Sequence, residues 1–295
     1  MNRERALAAA AMTGMAVLFG ASFVATKVAL GTFTPSLLIC LRFVIASAVF
    51  YAASPLLKPE PLTGSARAQV FLLALFEPGA YFYLEAMGIL RTLASTAAIL
   101  ISTIPLFVLV LEALWLEAPL VPREVGLILL SLAGVFLLVT AGGWERAVGG
   151  SLVGNLFVLG AALAASLYTV LAKRILARHS PLAVTRLQVL YAAALYLPAA
   201  AWDLSRGAAL PTDARSWGAL AYLAFGCSFL AYWLLNYSLS RVKASIVSAF
   251  TNVIPVVGSL LALLVLGERL YPLQGVGAVV VLGCTTLLAL KHKEA

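Results

Sequence analysis

Long apolar runs alternate along this chain with short clusters of charged, proline and glycine residues. Cutting the sequence at those clusters leaves apolar segments near 7–29, 36–57, 68–90, 93–116, 122–141, 152–172, 181–203, 216–239, 243–266 and 270–290. A helix needs about 20 mostly apolar residues to cross the hydrocarbon core of a bilayer, so each segment has the length of a transmembrane helix. The connectors are short and rich in helix breakers: KPEPLTGSAR after the second segment, GGWERAVGG after the fifth, SRGAALPTDAR after the seventh. Neighbouring segments are therefore antiparallel, and the expected fold class is an all-α membrane protein of ten transmembrane helices.

Composition agrees. A soluble domain is about half apolar and a quarter charged, whereas 63% of these 295 residues are hydrophobic, 11% are charged and the mean hydropathy is +1.03. Ten spans leave no room for a separate catalytic or DNA-binding domain. The net charge of +8 comes from basic residues scattered singly at the ends of apolar runs, so it serves topology and not nucleic acid. With the N-terminus in the cytoplasm, Lys27, Arg91, Arg146, Arg206, Arg215 and Arg269 fall outside and about twice as many Lys and Arg, among them Lys58, Arg67, Lys173 and Arg178, fall inside. Trp144, Trp202 and Trp217 then line the outer interface. Both termini are expected in the cytoplasm of a cell (plasma or inner) membrane. The apolar run after Arg3 and Arg5 is too long for a signal peptide and reads as an uncleaved first span. Cys40, Cys227 and Cys284 lie in apolar stretches without CxxC spacing, which points to neither a disulfide framework nor a zinc site.

The chain also repeats itself. A shift of 150 residues aligns LASTAAILISTIPLF with KASIVSAFTNVIPVV, setting Ala94 on Ala244, Ser95 on Ser245, Ile104 on Ile254 and Pro105 on Pro255. Both copies run on to an acid, Glu117 or Glu268, then a proline, then Gly-x7-Gly: Gly126 and Gly134, Gly275 and Gly283. A shift of 146 places Lys27 on Lys173 and Pro35 on Pro181. The expected units are residues 1–141 and 151–290, each of five helices. An odd number of crossings turns the second unit upside down relative to the first. Inverted repeats are characteristic of alternating-access transporters, whose substrate site lies near the midplane between the halves. The alternative is a duplication without a transport role.

Specific motifs carry a resemblance. FGASFVATKVAL in the first span, the Arg42-Phe43 pair early in the second, the Ala-Ser after the third, the mid-helix proline and the Glu closing each fourth-type span together resemble the EamA family of the drug/metabolite transporter superfamily. The resemblance covers nearly the whole chain. It implies two inverted five-helix repeats around a central cavity and efflux of amino acids, their derivatives or other small metabolites. LWLEAP at 114–119 departs from the family's Glu-Arg, which the second copy keeps as Glu268-Arg269.

Within the spans, Glu77 stands out, because a carboxylate near the bilayer centre costs roughly 2.5–3.5 kcal/mol or more. On a continuous helix Glu77, Tyr81, Leu84 and Gly88 share one stripe, with Glu85 at its edge. Such an acid is favoured in its neutral form and is a candidate proton carrier facing a cavity; the alternative is a protonated Glu bonded to a neighbouring helix. Arg42 and Glu85 fall at similar depth and form a candidate ion pair at an outer gate, matched near the inner face by the neutral pair Gln188 and Asn236. Either pair is equally consistent with static satisfaction of costly groups. Pro105 and Pro255 remove helical hydrogen bonds and free carbonyls beside Ser102, Thr103, Ser248, Thr251 and Asn252, a set that can hold a polar ligand or merely compensate a kink. Tyr81, Tyr168, Tyr232 and Trp233 are candidates for an aromatic wall, against the commoner role of such residues in core or lipid contact. Lys27 and Lys173 are explained by snorkelling, and Glu112 by an interfacial position.

The leading expectation is a secondary transporter exporting a small metabolite, an amino acid or derivative first, by alternating access with possible proton coupling. The alternatives are a gradient-independent facilitator or exchanger, a membrane receptor, or an intramembrane enzyme. No Walker A sequence occurs. Both histidines, His179 and His292, lie in a loop and the tail, so no nucleophile-base or metal cluster forms and no catalytic role, metal or cofactor is expected. The expected partners are a small-molecule substrate and the lipid bilayer, without nucleic acid, in a monomer or homodimer.

Overall fold

The computed structural model describes residues 3–89, 91, 100–117, 119–141, 151–266 and 271–291, and among these every regular element is helical. Helices α1 (Arg3–Ala29) and α2 (Pro35–Leu57) are followed by α3 (Gly64–Ala74), a π-helical turn (Leu75–Ala80) and α4 (Tyr81–Ile89), which together make one broken span. Then come α5 (Ile104–Trp115), α6 (Pro122–Thr140), α7 (Leu152–Leu176) and α8 (Pro181–Ser205). A second broken span consists of α9 (Ala214–Ala221), a π-segment (Tyr222–Ala231) and α10 (Tyr232–Arg241). A third joins α11 (Ala244–Ala249), a 3-10 turn (Phe250–Asn252) and α12 (Val253–Leu266), and α13 (Pro272–Lys291) closes the order. Six helical runs among the described residues are long and apolar enough to cross a membrane, with shorter apolar helices at Ile104–Trp115, Ala244–Gly258 and Pro272–Leu288. Residues 93–99 of the fourth expected span, the GGWERAVGG connector and the Glu268-Arg269 pair lie outside the described residues.

The helix starts follow local chemistry. Thr34, Thr63, Ser151, Ser180 and Asp213 are extended N-caps whose side-chain oxygens accept a backbone N–H three residues on, at 2.7–3.4 Å. Pro35 and Pro181 occupy first-turn positions, where a missing N–H costs nothing. The backbone N–H and hydroxyl of Ser216 hold the Asp213 carboxyl below its usual pKa, because both favour the charged form.

The halves interlock through equivalent elements. α2 packs along α8, and α6 along α13. α1 packs on the α9–α10 span and on α12, while α7 packs on the α3–α4 span and on α5. Each first-type helix thus lies against the third- and fourth-type helices of the other half. The outer surface is apolar, with Leu56 87%, Leu152 74% and Val279 72% exposed, the surface that lipid covers. Polar side chains such as Gln188, Asn236 and Asn252 are instead fully buried between helices.

Of the Gly-x7-Gly residues, Gly134 serves close packing: a Cβ there would lie 3.0 Å from the Gly277 carbonyl and from Val280 and Val281. Gly126, Gly275 and Gly283 face open space.

Candidate functional site

The third span does not carry a continuous stripe through Glu77. Pro78 has no N–H and disfavours helical geometry in the residue before it, and Glu77 is extended at φ −143°, ψ 121°. The break turns Glu77 out of the Tyr81–Leu84–Gly88 line, and its Oε1 accepts a hydrogen bond from the Tyr232 hydroxyl of the other half at 2.9 Å. The carbonyls that the break frees find donors on α8: Gln188 Nε2 donates to Glu77 O at 3.0 Å, and the Tyr196 hydroxyl to Gly79 O at 2.6 Å and Pro78 O at 3.3 Å. Leu84 and Gly88 remain aligned towards α7, where Leu84 lies against Gly160 and a Cβ on Gly88 would run into Val158 Cγ2.

Gln188 and Asn236 do meet, with Asn236 Nδ2 donating to Gln188 Oε1 at 3.1 Å and to Thr185 Oγ1 at 2.8 Å. The Tyr168 hydroxyl approaches both acceptors, at 2.7 Å from Asn236 Oδ1 and 3.3 Å from Gln188 Oε1. This buried network runs from α7 through α8 and α10 to the break at Glu77.

Arg42 and Glu85 form no ion pair within 4.0 Å, because each is held by a nearer partner. Arg42 Nε donates to Ser228 Oγ at 2.8 Å, and its guanidinium lies 4.8 Å from the Phe82 ring centre and 5.4 Å from that of Phe43. The Glu85 carboxylate accepts from the Tyr81 hydroxyl at 2.8 Å. The two charges still act on each other electrostatically. Glu77, Tyr81 and Glu85 are only half-buried, beside fully buried Tyr168, Tyr232, Gln188 and Asn236. Arg42 and Gln188 occupy matching places on second-type helices, and each reaches the irregular turn of the other half's third-type span.

Pro105 and Pro255 each follow an irregular turn, and at Pro255 the helical run Ala244–Gly258 continues through the proline. Pro105 lies in the first turn of α5 after a turn at 102–103, and Pro255 in the first turn of α12 after the 3-10 turn. Hydroxyls there bond local carbonyls: Thr103 to Leu100 O and Thr251 to Ser248 O, both at 2.6 Å, and Ser248 to Ser245 O at 3.0 Å. Ser102 is buried, and Asn252 Nδ2 donates to Ser131 on α6 at 3.1 Å, away from Glu77's partners. Trp233 is 36% exposed with Tyr237 as its ring neighbour, so it belongs to the outer surface and not to an aromatic wall.

Two charges expected at the interface are bonded to backbone groups. Glu112 is 4% exposed and accepts the N–H groups of Ala244 at 2.9 Å and Ser245 at 3.0 Å, capping the start of α11. Lys173 Nζ donates to the carbonyls of Leu239 and Val242, each at 2.8 Å. The side chain of Lys27 lies outside the described residues.

Ser228, Thr185 and Tyr196 escaped the sequence reading, since a lone hydroxyl in an apolar run carries no pattern. Pro78-Gly79 and Gly226 were signals for the two irregular turns that position them.

Residues 6–140 and 152–290 each match the model of the EamA-like transporter family. The uncharacterized transporter YcxC of Bacillus subtilis is 30% identical over 278 residues, covering 90% of this chain and 87% of that protein. A protein of Salmonella typhimurium named "Probable amino-acid metabolite efflux pump" is 27% identical over 276 residues, covering 90% and 89%. A solved crystal structure superimposes with a TM-score of 0.80 at 21% identity, over 98% of this chain and 99% of the other, a likeness of fold.

Proposed function

We propose that this chain, which belongs to the EamA-like transporter family, exports a small metabolite, an amino acid or derivative, by alternating access coupled to protons. The transporter assignment rests on the family; substrate, coupling and cycle are our reading. The observation that carries it is Glu77, a half-buried acid at a helix break, bonded to Tyr232 across the two halves. Broken helices at the interface of repeats are where transporters bind substrates and coupling ions. An acid there is neutral when dry and ionises when water enters, so its charge follows the conformational cycle. The efflux-pump name of the Salmonella relative supports an amino-acid derivative as cargo. In this reading ten helices form two inverted five-helix repeats, residues 1–141 and 151–290, with both termini in the cytoplasm. The crossed packing of equivalent helices supports the repeat relation.

The test is Glu77→Gln in proteoliposomes. Gln keeps the acceptor for Tyr232 and imitates the protonated acid. Uphill transport driven by a proton gradient is lost, while exchange of substrate for substrate persists, since exchange moves no net proton. Uphill transport equal to wild type reduces Glu77 to a structural residue. Wild-type transport that ignores the proton gradient makes the protein a facilitator.

A further inference from the structure

The Arg42 side chain is an unusual object at this depth. The residue is 4% exposed, and among the described residues Nε has Ser228 while no hydrogen bond or ion pair reaches Nη1 or Nη2. Nor are those two nitrogens sealed in protein, as Arg186 Nε is. Phe43 and Phe82 flank the guanidinium, and the Ser228 bond fixes its plane. A buried arginine is normally paired, because an isolated charge is costly to remove from water. Here the natural partners are present and held back. Glu85 is bonded to Tyr81 and Glu77 to Tyr232, and neither comes within 4.0 Å of the guanidinium. The Phe82 ring on the guanidinium lies 5.2 Å from the Tyr81 ring and the Phe43 ring 6.1 Å from that of Tyr232, so the two tyrosines that hold the acids stand on either side of Arg42.

A rigid fork with two free donors on one side is the geometry that accepts a carboxylate bidentately. Two acids held only by tyrosine hydroxyls are the complement of an ammonium group. A molecule with a carboxylate and an amine a few bonds apart offers a partner to each. We propose that Arg42 anchors the carboxylate of the transported molecule through Nη1 and Nη2, so that a carboxylate is obligatory for recognition, while the half-buried Glu77 and Glu85 receive its amine. This rests on the transporter reading above and goes further by assigning specificity to one residue. Ser228 is a positioning residue in it, acting through Arg42.

The experiment measures binding by thermal stabilisation of the purified protein, with three probe series: leucine, phenylalanine and threonine, each beside its decarboxylated amine and its deaminated acid. In at least one series the amino acid stabilises wild type and the amine binds about tenfold more weakly or worse, the loss expected when a bidentate charged contact is absent. Arg42→Gln abolishes that discrimination. Arg42→Lys, a point charge without the fork, weakens amino-acid binding about tenfold. Ser228→Ala weakens the amino acid and not the amine. If Arg42→Gln fails to fold, Arg42→Lys and Ser228→Ala decide. Wild type binding amine and amino acid alike, or either folded Arg42 variant keeping wild-type discrimination, overturns the anchor and leaves the transporter reading standing. No binding by any probe overturns the anchor and the amino-acid cargo of that reading together.

Discussion

Gln188 uses both ends of its amide at once. Its Nε2 satisfies the Glu77 carbonyl, and its Oε1 takes Asn236 Nδ2 and the Tyr168 hydroxyl. Gln188→Leu keeps the volume and removes all three contacts; Asn236 keeps Thr185 and the Tyr168 hydroxyl, so the Glu77 carbonyl is the group left unpaired in a dry interior. Each such group costs about 1–3 kcal/mol, so thermal unfolding in detergent should show a lowered midpoint. An unchanged midpoint means that water replaces the amide. At this scale the sequence was informative wherever a residue type was expensive for its place. Glu77, Arg42, Glu85, Gln188 and Asn236 all declared themselves because polar groups in apolar spans need partners. It named the Gln188–Asn236 contact correctly but not the hydroxyls of Ser228 and Tyr232 that hold Arg42 and Glu77. Serine and tyrosine are tolerated almost anywhere in a membrane helix, so their presence alone selects no partner.

Elements meet most closely where glycine removes the side chain. A Cβ on Gly20 of α1 would sit 2.5 Å from Val257 Cβ of α12 and 3.2 Å from the Ile254 carbonyl. A β-branched valine has no flexible end to withdraw, so Gly20→Ala forces the helices apart at an expected cost of about 1–3 kcal/mol. Gly126→Ala on α6, with nothing within 4 Å, is expected to be neutral or to gain up to about 1 kcal/mol from helix propensity. Equal midpoints for the two variants would mean that the α1–α12 contact is not as close as drawn. Six span positions followed from apolar length, whereas the Thr, Ser and Asp caps that set the helix starts were not read from the sequence. The interruptions were not read either, because a proline in an apolar run announces a break without saying whether the helix bends at the proline, as was expected at Pro105 and Pro255, or is irregular in the turn just before it, as it is.

For the molecule as a whole, membrane orientation is the premise of every transport step. Single cysteines introduced beside Arg206 should react with a membrane-impermeant thiol reagent from outside intact cells, and those beside Lys58 or Arg178 should not. The native Cys40, Cys227 and Cys284 are buried and stay silent. The reverse pattern would invert the assignment of inside and outside. The repeat was readable because backbone-breaking residues recur in order, whereas the unequal chemistry of the copies was not. Glu112 has Ala262 at the equivalent place 150 residues on, so the two halves are fastened differently. One effect of that fastening is mechanical. The turn from Arg241 to Ala244 is held by Lys173, Glu112 and the Lys243–Glu124 contact at 3.5 Å, which fixes the end of α10 as a fulcrum. Ser228 lies about 20 Å away along the same span at 1.5 Å per residue, within the π-segment. A swing of about 5° at that pivot carries Ser228 through about 2 Å, enough to part the 2.8 Å bond to Arg42. Held at the Arg241 end, the span has the geometry of a lever, in which a small rotation at one end is enough to free the guanidinium bonded at its middle.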